Sequence, residues 1–73
     1  MVGAMLQLND LHKRIARLEL RIEQLLIHLQ LLAGGSSEAT EVRSRLFGML
    51  QDLVVLKEER EELEALLSLE EAA

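Results

Sequence analysis

The sequence predicts an all-α fold, an antiparallel two-helix hairpin that pairs into a four-helix bundle. Three observations carry this prediction. Apolar residues recur at alternating steps of three and four along almost the whole chain, a Gly-Gly-Ser-Ser segment interrupts the rhythm once, and no proline occurs anywhere. The rhythm is that of helices with a packed seam, and the lack of proline removes the strongest helix breaker.

The first helix is expected over residues 5–33. Its seam is Leu8, Leu11, Ile15, Leu18, Ile22, Leu25, Leu29 and Leu32, four heptads without a miss. With Leu8 at position a, the a set is Leu8, Ile15, Ile22 and Leu29, and the d set is Leu11, Leu18, Leu25 and Leu32. The turn is expected at residues 34–37, with Gly34 as the residue after the helix cap, where a positive φ has no Cβ cost. Ser36 or Ser37 is expected to cap the second helix, with Glu38 and Glu41 at the positive end of its dipole.

The second helix is expected over residues 38–70. Ala39, Leu46, Leu53, Arg60 and Leu67 fall at a, and Val42, Met49, Leu56 and Leu63 at d. Folding the chain at the glycines sets Leu32 against Ala39, Leu29 against Val42, Leu25 against Leu46 and Ile22 against Met49. The same register sets Leu18 against Leu53, Ile15 against Leu56, Leu11 against Arg60 and Leu8 against Leu63. Each layer pairs an a with a d, as antiparallel helices require. At the g positions Arg21 is expected beside Asp52 and Arg14 beside Glu59. Arg60 is the one charged residue on the seam. Its stem is expected to cover the seam opposite Leu11 while its guanidinium reaches Glu64 one turn on; a register or partner determinant is the alternative.

Eight apolar residues fall off the seam: Leu20, Leu26, Ile27, Leu31, Phe47, Leu50, Val54 and Val55. They gather in the half nearest the turn, whereas the far half reads as solvated, with Lys13, Arg14 and Arg17 beside the acidic run 58–64. Phe47, Leu50 and Val54 form a stripe along the second helix. Two helices alone leave such groups wet, and an apolar patch of this kind usually marks an interface. These eight are therefore the expected contact residues, for a second copy of the chain, another helical protein, or both.

Composition bounds the rest. The 73 residues include one aromatic residue, Phe47, and no cysteine, so one domain spanning residues 1–73 is expected, without disulfides or thiolate chemistry. The N-terminus has no basic stretch ahead of an apolar core, and no apolar run approaches a membrane span, so a cytoplasmic protein without membrane contact is expected. His12 and His28 have no second ligand three or four residues away, so no metal is expected. The Gly-Gly pair lacks the lysine and the preceding strand of a phosphate loop. With no catalytic constellation, cofactor motif or small-molecule site legible, the chain is not expected to be an enzyme; an enzyme subunit is a remote third reading.

Charge supports an interaction protein. Residues 1–35 carry four basic and three acidic side chains, and residues 36–73 four basic and ten acidic, for a net charge of −5. The basic stripe Lys13, Arg14, Arg17 and Arg21 gives a second reading, a nucleic-acid-binding dimer, and in architecture the chain resembles the Rop-type RNA-binding bundles. The acids expected across from those arginines make it the weaker reading. In size and shape the hairpin is also similar to the small helical co-chaperones of type III secretion. The first reading is a self-associating adaptor, co-chaperone or regulatory subunit.

Overall fold

The computed structural model describes residues 2–72. Helix α1 runs Val2–Leu31 and helix α2 runs Ser37–Ala72. They lie against each other along their length and make a rod 56 × 15 × 14 Å. No strand occurs among the described residues.

The seam holds as the heptads require. Leu11, Ile15, Ile22, Ala39, Val42 and Leu46 are buried, and every other seam position, from Leu8 and Leu18 to Leu63 and Leu67, is half-buried. Burial is incomplete because two cylinders touch along a line, and a third surface is needed to enclose the residues beside it. Two cross-helix contacts, an ion pair and a histidine–carboxylate contact, report the register. Lys57 Nζ lies 3.8 Å from Glu19 Oε2, and His12 Nε2 lies 3.8 Å from Glu64 Oε1. Both pairs couple e positions one residue past seam residues: Glu19 and Lys57 flank the Leu18–Leu53 and Ile15–Leu56 layers, and His12 and Glu64 the Leu11–Arg60 and Leu8–Leu63 layers.

The helix junction departs from expectation in two respects. Helix α1 ends at Leu31, where the Leu32 amide bonds the Leu29 carbonyl at 3.2 Å, a tightened last turn. A reverse turn follows, closed by the Ser36 amide on the Ala33 carbonyl at 3.1 Å. No described residue, glycine included, has a positive φ, so Gly34 is not the left-handed cap that its position suggested. The tightened turn ends α1 two residues early, and a right-handed reverse turn then carries the reversal. Ser36 is the cap of α2: its Oγ accepts the Ala39 amide at 3.1 Å and donates to the Ala33 carbonyl at 3.0 Å. Arg43 reaches back to the same junction and donates from Nη2 to the Gly34 carbonyl at 3.1 Å.

Gly48 sits in the interior of α2, where glycine costs about 1 kcal/mol relative to alanine. A Cβ placed there meets nothing within 4 Å. Gly48→Ala is therefore expected to stabilise the fold by ~0.5–1 kcal/mol, raising Tm by ~2–8 °C in a domain of this size. Thermal melting followed by circular dichroism, at one fixed protein concentration, checks this.

Candidate interaction surface

A heptad places e and b on one side of a helix and g and c on the other, with f outermost, because successive residues turn by ~100°. In this hairpin the two e rows share one flank and the two g rows share the opposite one. The Lys57–Glu19 and His12–Glu64 pairs mark the e flank. An open groove of about 770 Å³ marks the g flank, lined by arginines 14, 17 and 21 with Leu20, Asp52 and Val55 among others.

All eight expected contact residues are exposed, but they do not form one surface. Leu26 and Leu50 at e, with Phe47 and Val54 at b, share the e flank. Phe47 is 65% exposed and Val54 57%. Leu26 and Leu50 face each other in the register that pairs Glu19 with Lys57, and at 44% and 43% they are the least exposed of the eight. Leu20 and Val55 instead line the arginine groove on the other side. Ile27 at f and Leu31 at c point away from the e flank. The sequence shows the apolar surplus, and only the register divides it between two flanks.

The far half of the rod is not purely solvated, in contrast to the expectation from sequence. Met5, Leu6, Leu66 and Leu69 are all exposed there. Leu66 lines a smaller groove of about 340 Å³ with Gln7, Asp10, Arg14, Glu59 and Glu62. Met5 and Leu6 precede the first full heptad, and Leu66 and Leu69 fall at g and c. Their positions in the repeat would have given them away.

The charges on the g flank are also arranged differently from expectation. Arg14 pairs with Asp10 on its own helix, Nε to Oδ2 at 3.3 Å, and not with Glu59, although Glu59 shares its groove. Arg21 and Asp52 line the same groove without forming an ion pair. Near the turn, His28 Nε2 lies 3.7 Å from Glu38 Oε1. Each of these pairs is half-exposed and contributes at most about 1 kcal/mol.

Arg60 behaves as a seam residue with a charged tip. Its side chain is half-buried, and its Nε lies 3.9 Å from Glu64 Oε1. Leu11, which faces it in the register, is buried. Glu64 thereby meets both Arg60 and His12 and ties the two helices near their open end.

Among the described residues no group of three or more His, Asp or Glu side chains is placed to hold a metal ion. None of the described helices is long and apolar enough to cross a membrane. No protein-family model, curated protein or solved structure matches this chain. Its chemistry must be read from its own surface.

Proposed function

We propose that this chain is a small protein–protein interaction module, a helical hairpin that self-associates into a four-helix bundle and serves in the cytoplasm as an adaptor, co-chaperone or regulatory subunit. It binds and does not catalyse. The observation that supports this is the e flank. Phe47, Leu50 and Val54 run along α2 beside Leu26 of α1, and all four are exposed, outside the seam between the helices. Covering a side chain of this size stabilises by ~1.5–3 kcal/mol. A second hairpin laid on this flank supplies the third surface that the half-buried seam lacks, which is how short helical pairs reach independent stability.

Static light scattering behind size exclusion, at micromolar concentration, tests the proposal. A mass of at least twice the 8.3 kDa of one chain is expected. A fully helical species at 8.3 kDa contradicts it.

One observation favours a second reading, nucleic-acid binding. Three arginines line the g-flank groove. Against it, Asp52 lies in that groove, Asp10 already holds Arg14, and the one Phe, Tyr or Trp ring, Phe47, is on the opposite flank, away from where a base would stack. The protein–protein reading is the stronger.

A further inference from the structure

Resting on the self-association just proposed, we infer that the occupant of the e flank is a second copy laid antiparallel, its turn over the open end of the first, with Arg43 of each copy meeting Glu61 of the other. The apolar stripe is centred between Leu50 and Gln51. A two-fold axis through that point, perpendicular to the helices, lays α2 on α2. It sets Phe47 against Val54 and Leu50 against Leu50, so apolar groups cover apolar groups.

The charges fit the same axis. Arg43 lies at e, ~11 Å on the turn side of the centre, and Glu61 lies at b, ~16 Å on the other side, taking ~1.5 Å per residue. Helical side chains lean toward their own N-terminus. Arg43 does so visibly, since its Nη2 reaches the Gly34 carbonyl at 3.1 Å. That lean carries the guanidinium outward to the level of the partner's glutamate at the same distance from the axis. Among the described residues neither Arg43 nor Glu61 finds an ion-pair partner; of the e-flank charges between them Lys57 and Glu19 neutralise each other, and Glu23 is also without an ion-pair partner. In α1 the arrangement brings Glu19 of one copy toward Glu23 of the other, and Lys57, held against Glu19, supplies the compensating charge there.

The other two-fold arrangement, turn beside turn, lays α2 on α1. Phe47 and Leu50 would then cover Glu19 and Glu23, burying carboxylates under apolar side chains, which is costly. The antiparallel pair keeps the apolar stripe off these carboxylates and leaves them to meet across α1, where Lys57 offsets Glu19.

Charge reversal across chains tests the inference by sedimentation equilibrium at low salt. Arg43→Glu alone and Glu61→Arg alone are each expected to weaken the wild-type dimer on the order of tenfold, since each change acts at two symmetric contacts. The double variant is expected to recover the wild-type constant. So is an equimolar mixture of the two single variants. In each mixed pair the two introduced side chains meet at one contact with their signs exchanged, and the native Arg43 and Glu61 meet at the other. A contact within one chain would give recovery in the double variant but none in the mixture. Loss of the Arg43 bond to Gly34 is common to the Arg43→Glu single variant and the double, so recovery in the double rules it out as the cause. If the wild type is a monomer, the self-association reading and this inference fail together. If the wild type is a dimer that the single reversals do not weaken, or that the mixture does not restore, self-association stands and the antiparallel arrangement is overturned.

Discussion

Phe47→Glu combined with Leu50→Glu is expected to convert the assembly to a monomer at micromolar concentration while helicity is retained. Both side chains are exposed on the isolated hairpin, so glutamate there costs the hairpin itself little. In a symmetric pair each residue is lost twice, and each loss removes ~1.5–3 kcal/mol of burial. The association constant should therefore fall by more than about a thousandfold. Leu20→Glu is the control. Leu20 is similarly exposed but lines the arginine groove on the opposite flank, so the change should leave the dimer within about tenfold of the wild type. Light scattering over a dilution series distinguishes the two outcomes. If Leu20→Glu dissociates the assembly and the Phe47 and Leu50 changes do not, the contact lies on the arginine side.

The second large effect is expected inside the seam. Ile15 is 3% exposed, the most buried large side chain among the described residues, and its layer partner Leu56 is only half-buried. Ile15→Ala removes three carbons from a site with few neighbours able to close in, at a cost of ~2–5 kcal/mol. A domain of this length has a total stability on the order of 4–11 kcal/mol. The variant should lose at least ~10 °C in Tm and be partly unfolded at about 37 °C. Leu20→Ala removes a residue that is already solvated and should shift Tm by no more than a few degrees. The two are compared at equal protein concentration, because association raises apparent stability.

The parts of this architecture that were legible in the sequence are those fixed by periodicity. Leu8 through Leu32 and Ala39 through Leu67 alternate by three and four, and every one of those positions is buried or half-buried. A serine cap was legible at Ser36 or Ser37, because serine beside glycine, ahead of an apolar repeat, has few other uses; the bond from the Ala39 amide assigns it to Ser36. The conformation of Gly34 was not legible. Glycine permits a left-handed cap without requiring one, and the Ser36 hydroxyl and amide both close the turn on Ala33 in right-handed geometry.

Ion pairing was legible only as a set of candidates. Side-chain lean acts on both flanks alike, so it could not choose the e pairs Lys57–Glu19 and His12–Glu64 over the g pairs. Local competition decides one of them, since Asp10 takes Arg14. The exposed apolar surplus near the turn was legible as eight residues but not as a shape. Heptad position separates Leu26, Phe47, Leu50 and Val54 from Leu20 and Val55, and that separation has meaning only once the two helices are known to share a seam.

The division into two flanks depends on the seam closing within one chain, and a pair of cysteines measures this most directly. The native chain has none, so introduced thiols have no competitors. Ile22 is buried and Met49 half-buried in what the register makes one layer. With Cys at 22 and 49, mild oxidation at low protein concentration should give a disulfide within the chain, since facing Cα atoms in such a layer lie within about 7 Å. Cys at 22 and 56 should cross-link poorly, being displaced by ~10 Å along the axis at ~1.5 Å per residue. The closed hairpin predicts a monomer-sized oxidised band on a non-reducing gel for the first pair and little for the second. A dimer-sized band for the first pair would mean that the helices are exchanged between chains, and efficient closure of the second pair alone would mean that the register is wrong.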